Sequence, residues 1–298
     1  MNLFLFGAGA SFGSGQVDPC PPPLGSDLYS ALKRIYPITW GSFDSNLQSK
    51  FNTNFENGMA ELIETNSHAI PPLMQQMAIF FSRFGLTNNN DNLYKNLFRN
   101  LKSKNLLKNT IISTLNYECL CEFAASLEGI TVEYFGKAEN DNAKIWKIHG
   151  SCNFKLQGGA DVTRSVSFGH RASFGGNIEF VNPVDVSTIY RSNTALYPSM
   201  CLYAKDKPLA IAPDVIKNFQ NEWSEKVRIA EKIFVIGVRP IVDDKHIWQP
   251  IAASTGTLYF VGDKPEYENW ISANRPNKTN EYLEKYWIGS ESSIYARL

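Results

Sequence analysis

Four apolar residues, Leu3-Phe4-Leu5-Phe6, run straight into a loop of small ones, Gly7-Ala8-Gly9-Ala10-Ser11, with further glycines at Gly13 and Gly15. An apolar run without alternation reads as a strand covered on both faces, as the strands of parallel sheets are. A backbone stripped of side chains just after such a strand lets N–H groups approach something closely, and a phosphate is the usual candidate. The dinucleotide fingerprint G-x-G-x-x-G fits imperfectly, because the third glycine comes one residue late, at Gly13. A tight turn that binds nothing is the equal alternative at this point.

The same pattern recurs downstream. Strand-like runs lie at 109–114 and in "ITVEYF", "KIWKIHGS", "PLAIAP", "KIFVIG" and "GTLYFVGD". Helical spacing is read near 26–35, from about 117, over 214–231 and near 244–253. Strands alternating with helices predict parallel pairing through right-handed crossovers: an α/β, Rossmann-like, doubly wound sheet. The first βα unit is followed by a different texture. Apolar stripes with helical spacing fill about 43–108 and predict a helical insertion, and about 151–205 is a mixed β/loop segment, all within a single domain spanning 1–298. Ser26 or Asp27 is the expected cap of the helix at 26–35, and Thr53 with Glu56 suggests a capping box inside the insertion.

Composition removes several function classes. Lysine plus arginine balance aspartate plus glutamate at 29 each, so no global field draws the chain to polyanions, and direct nucleic-acid binding is not expected. No apolar stretch approaches the roughly 18 residues of a membrane span, and the apolar start has no basic flank that would make it a signal peptide. A cytoplasmic protein is expected. The five cysteines, Cys20, Cys119, Cys121, Cys152 and Cys201, are odd in number and form no C-x-x-C pair, so neither a disulfide scaffold nor a structural zinc site is expected, and no metal is assigned. The 13% aromatic content suits sizeable interfaces or a large core.

Ligands of open α/β sheets bind beyond the carboxyl ends of the strands. Five expected strand ends carry unusual residues: Gly7 to Ser11, Leu115-Asn116-Tyr117-Glu118, His149-Gly150-Ser151, Gly237-Val238-Arg239-Pro240, and Gly262-Asp263. His149 suits general-base work through its near-neutral ionisation, with a structural histidine as the alternative. The Asn116 amide suits a ribose hydroxyl or a water, with an asparagine satisfying its own turn as the alternative. Asp243, Asp244 and His246 have the look of metal ligands but are expected to cap the helix that follows them.

In order along the chain, a strand into G-A-G-x-S, a strand into T-x-N-Y-E and a strand into H-G-S, with helices between the first two, resemble the sirtuin-like family. The branch most similar is that of bacterial anti-phage defence. "PLAIAP", a helix bearing Trp223, and "IAEKIFVIGVRPIVDD" extend the resemblance from residue 3 to about 263. The resemblance implies a domain that binds NAD in an extended pose. Gly7, Ala8, Gly9, Ala10 and Ser11 would surround the diphosphate. Asn116 would contact the nicotinamide ribose and position water, and His149 would be the catalytic base. Gly237, Val238 and Arg239 would line the adenosine side, and Asp263 would hold the adenine ribose.

Glu118 stands where the family has Asp, Arg239 where it has Ser, and Pro240 comes one position early. The four-cysteine zinc module of protein-deacetylating sirtuins is absent from the sequence. These departures favour hydrolysis of NAD to nicotinamide and ADP-ribose, or a cyclic form, over protein deacylation. A non-catalytic NAD or ADP-ribose sensor or scaffold is the second reading and a deacylase the third. A free-running NAD hydrolase would harm its own cell. The resemblance therefore also implies gating, by homo-oligomer assembly or by a separate activating protein of ATPase or Argonaute type.

Overall fold

The computed structural model describes residues 1–298 except 136–141, 159–160, 169–170, 193–195, 203–209 and 242–243; for 161–172 only the backbone is described. In chain order, β1 (Asn2–Phe6) leads into α1 (Ala8–Phe12), then α2 (Gly25–Ile35), α3 (Ser45–Thr53), α4 (Phe55–Thr65), α5 (Ile70–Phe81) and α6 (Leu93–Ser103). Next come β2 (Thr110–Thr114), α7 (Leu120–Leu127), β3 (Val132–Tyr134) and β4 (Ala143–Lys147). Short strands β5 (Phe154–Leu156), β6 (Asp161–Phe168), β7 (Arg171–Gly175) and β8 (Ile178–Phe180) precede α8 (Val186–Arg191). The last third contains α9 (Pro213–Ile229), β9 (Lys232–Ile236), α10 (Lys245–Ala253), β10 (Thr257–Val261), α11 (Lys264–Asn274), β11 (Asn280–Glu284) and α12 (Glu291–Tyr295).

Among the described residues, seven strands form one sheet in the order β11-β10-β9-β1-β2-β4-β3, with every neighbouring pair parallel. Side-chain alternation explains how both faces are filled. Phe4 and Phe6 of β1 point to one core with Ile112, Ile145, Phe234 and Ile236. Leu3 and Leu5 point to the other with Ile111, Trp146, Ile233 and Val235. The first core is closed by the helices between β1 and β2, the second by α9, α10 and α11 through Trp223, Ile247, Trp248 and Tyr267. Helices thus cover both faces, which is why β1 is apolar from Leu3 to Phe6. This is the doubly wound α/β fold the sequence predicts.

Several local expectations change. Leu24, not Ser26 or Asp27, is the cap residue of α2, and no side chain bonds there; Ser26 donates to Asp27 instead. Asn54, not Thr53, caps α4, because its carbonyl oxygen accepts from the Glu56 and Asn57 N–H groups while Thr53 closes the preceding helix. The "PLAIAP" run falls partly outside the described residues; its remainder makes an isolated bridge from Ile211 to Phe174 before α9 starts at Pro213. The 151–205 segment contributes two small antiparallel pairs, β5 with β8 and β6 with β7, beside the main sheet. No helix among the described residues is long and apolar enough to cross a membrane.

Candidate active site at the carboxyl edge of the sheet

Because the strands are parallel, the residues that follow them line up along one edge. Reading across β10-β9-β1-β2-β4, these are Asp263, Gly237 to Arg239, Gly7 to Ser11, Asn116 and His149. The winding reverses between β9 and β1: the chain builds outward through β2 and β4 on one side, and through β9, β10 and β11 on the other. That reversal leaves a crevice at the strand ends, the usual place for a ligand in such sheets.

The glycine loop has a partner within the protein. Gly7 N–H donates to Ile236 O at 3.0 Å and Gly9 N–H to Gly237 O at 3.1 Å. A Cβ on Gly7 would lie 2.5 Å from Gly237 O and 2.8 Å from a Val238 methyl, a clash on both sides. Gly237 itself has φ +64, in the left-handed region that side chains disfavour. Packing of the β1 loop on the β9 loop is therefore one sufficient reason for the missing side chains. Ala8 is exposed and Gly9 half-buried at the rim, whereas Ala10 and Ser11 are buried.

Asn116 closes over this loop. Its Nδ2 donates to Gly7 O at 2.9 Å and to Ser11 Oγ at 2.8 Å, while its backbone N–H donates to Thr114 Oγ1 at 3.0 Å. A carbonyl oxygen only accepts, so the bond to Gly7 fixes which amide atom is nitrogen. Both N–H bonds are then used, and Oδ1 is the atom left to accept from a ligand. Ser11 donates to Glu118 Oε1 at 2.5 Å and lies 2.9 Å from the Tyr94 hydroxyl. A hydroxyl has one proton and two lone pairs. With its proton on Glu118 and one lone pair on Asn116, Ser11 accepts from Tyr94, and its side chain is saturated. Burial pushes the Tyr94 hydroxyl well up, with the neighbouring Cys121 and Glu118 adding to the rise, in keeping with a donor. Glu118 Oε2 meanwhile accepts from Leu120 N–H at 2.9 Å, which ties the network to the start of α7.

Beneath the network lies a fully buried ammonium. Lys147 donates to Glu118 O and stands 3.4 Å from Glu122 Oε1. Burial alone would push its ionisation down, but the Glu122 carboxylate and the groups around it outweigh burial and raise it. Glu122 is raised by burial against the opposing pull of Lys147, and it also accepts from the Tyr134 hydroxyl at 3.0 Å.

His149 sits two residues beyond β4, 5% exposed, on a turn braced from two sides. Gln220 of α9 donates to Ile148 O at 3.0 Å, Cys201 N–H donates to His149 O at 2.8 Å, and Ser151 N–H donates to Ser199 O at 3.1 Å. Gly150, at φ +77, lets the turn pass under the 199–201 segment. The strands β2 and β4 are neighbours, and Cys152 N–H donates to Tyr117 O at 3.0 Å, so Asn116 and His149 occupy adjacent loops. His149 Nε2 lies 2.8 Å from His246 Nε2. Asp244 joins them: ligand atoms of His149, Asp244 and His246 all lie within 4.8 Å of one another. Asp244 does hold the cap position of α10, but its side chain makes no capping bond, which corrects the expectation from sequence. Asp243 lies outside the described residues.

The far side of the crevice is built differently. Val238 is buried, whereas Arg239 is 77% exposed and bridges to Glu266 of α11. Asp263 is exposed and caps α11, accepting from Glu266 N–H at 3.1 Å. The expected adenosine-side residues Arg239 and Asp263 are thus both engaged with α11. Sequence reasoning missed Tyr94, Lys147, Gln220 and the role of His246. Lys147, a lysine on the same strand face as Ala143 and Ile145, was the one visible signal among them.

No protein-family model matches the sequence, and no curated protein matches it either. Solved structures do match by shape. One is described as "The Structural basis of Sirtuin Substrate Affinity": its TM-score is 0.50 at 12% sequence identity, with 99% of this chain and 93% of that chain covered. At that identity the likeness speaks to architecture, and over nearly its whole length this chain folds like a sirtuin.

Proposed function

We propose that the chain is an NAD glycohydrolase that cleaves the bond between nicotinamide and ribose. One juxtaposition carries the reading: Asn116 and His149 stand on adjacent loops beyond β2 and β4, beside the crevice where the sheet reverses its winding. Nicotinamide departs from a cationic ring with the electron pair of the broken bond, so it leaves neutral and needs no acid. The ribose carbon left behind is oxocarbenium-like, as in other glycoside cleavages. Asn116 Oδ1 holds a ribose hydroxyl or the incoming water, water adds its oxygen to that carbon, and His149 accepts the proton. The products are nicotinamide and ADP-ribose, or a cyclic form where a group of the nucleotide replaces water.

The closed bonding of the glycine loop supports a resting form. Ser11 is saturated, and both N–H bonds of Asn116 are spent on the loop. We assign the release of that form to self-assembly or to an activating ATPase or Argonaute-type protein, with NAD depletion in anti-phage defence as its purpose. The same closure favours a second reading, a module that binds NAD or ADP-ribose without turnover.

Nicotinamide release by the purified protein tests both. His149→Ala is expected to lower release by about 10² to 10⁴, and Asn116→Ala to lower it comparably. Release unchanged in His149→Ala rejects the base role. NAD bound without release in any assembly state selects the sensor, and NAD-dependent loss of acyl groups from lysine peptides selects a deacylase.

A further inference from the structure

We propose that His149, Asp244 and His246 form a binding site for one divalent transition-metal ion, of which zinc is the best match. The set has two imidazoles and one carboxylate, each offering an atom within 4.8 Å of the others. It is drawn from two distant elements, the turn after β4 and the start of α10, so local sequence does not account for the convergence. His149 and Asp244 are 5% and 8% exposed and His246 is half-buried, which gives a site closed behind and open in front. Nitrogen donors select zinc, cobalt or nickel over magnesium and calcium, which prefer oxygen throughout.

The spacing suits replacement of a proton by a metal. Two imidazole nitrogens 2.8 Å apart share one proton, one ring donating and the other accepting. Zinc–nitrogen bonds of about 2.0–2.1 Å in a tetrahedron set the two nitrogens roughly 3.3 Å apart. A rotation of His246, the more exposed ring, by about half an ångström at its tip therefore admits the ion. The donor ring's proton moves from Nε2 to its Nδ1, so both imidazoles stay neutral, Asp244 supplies the third bond, and water fills the fourth position. The ion takes the His149 lone pair that the proposed hydrolysis needs, so it acts as a reversible inhibitor. This last point rests on the NAD reading; the binding does not.

The test is titration of chelator-treated, desalted protein with Co²⁺, read by its visible absorption, and with Zn²⁺, read by calorimetry. One equivalent is expected to bind the unaltered protein. His246→Ala and Asp244→Asn are each expected to weaken binding at least about tenfold, the smallest loss usual even for a group that only supports a metal ligand. His68→Ala, on an exposed turn remote in sequence from the set, is expected to bind as the parent does. Near-identical circular dichroism across the set separates ligand loss from unfolding. Failure of the parent to bind, or binding by His246→Ala and Asp244→Asn equal to the parent's, overturns the site. Binding is read without turnover. A protein that binds one ion but releases no nicotinamide keeps the site and loses the NAD reading, and active protein that binds none does the reverse. Where both hold, Zn²⁺ suppresses release by the parent and by His68→Ala alike, and excess chelator restores release in both.

Discussion

The two ends of the crevice are built on opposite plans. At the β1, β2 and β4 end, polar groups are buried and cross-linked over long stretches of chain: Ser11 to Tyr94, Ser11 to Glu118, Lys147 to Glu122. At the β9 and β10 end, Arg239, Glu266 and Asp263 lie towards the surface, where water competes for their bonds. Buried polar groups stabilise only when all their partners are present, because an unmatched charge cannot turn to water. Exposed ones exchange partners with solvent at little cost. The inner end is thus fixed by folding itself, while the outer end can exchange its bonds with solvent.

Lys147→Met should do the most to break this contrast. Removing the ammonium leaves Glu122 and the Glu118 carbonyl without their buried partner, and about 3–5 kcal/mol of stability should be lost, read by urea denaturation. Its pH signature has a definite sign. The folded-state ammonium holds its proton above the unfolded value near 10.5. Its contribution is therefore intact below that pH and fades as pH climbs past it, and the gap between parent and variant should narrow there. Gly7→Ala comes next: the added methyl meets Gly237 O and Val238, and overpacking of this kind costs about 1–3 kcal/mol. Tyr94→Phe removes the donor to Ser11 and should cost on the order of 1 kcal/mol. Arg239→Ala should be smallest, at most about 1 kcal/mol for a pair so exposed. A loss for Arg239→Ala equal to that for Lys147→Met would erase the distinction between the two ends.

The strands of the central sheet were legible because burial on both faces writes unbroken apolar runs such as Leu3 to Phe6 and Ile233 to Ile236. The edge strand β11, "NEYLE", was not, since an edge is half exposed and carries polar residues that hide its period. Asn116 and His149 stood out because they follow such runs directly. Tyr94 did not, since on α6 it belongs to the apolar stripe, and only the hydroxyl at its tip reaches Ser11. Asp244 misled for a physical reason. Its backbone occupies the cap position that its residue type favours, yet its carboxylate lies with two histidines, one of them on a distant loop. Local preference names the position; it does not say where the side chain turns.

The placement of β1 also orders events during synthesis. Asn2 pairs with Thr110 on one side and with Lys232 on the other, so β1 waits for a neighbour more than 200 residues downstream. Closing so long a loop is slow compared with folding the helices that lie between. Until the ribosome has released β9, the glycine loop lacks the Gly237 backbone against which it is shaped. A growing chain therefore carries Asn116 and His149 beside an unfinished crevice until β9 has joined the sheet.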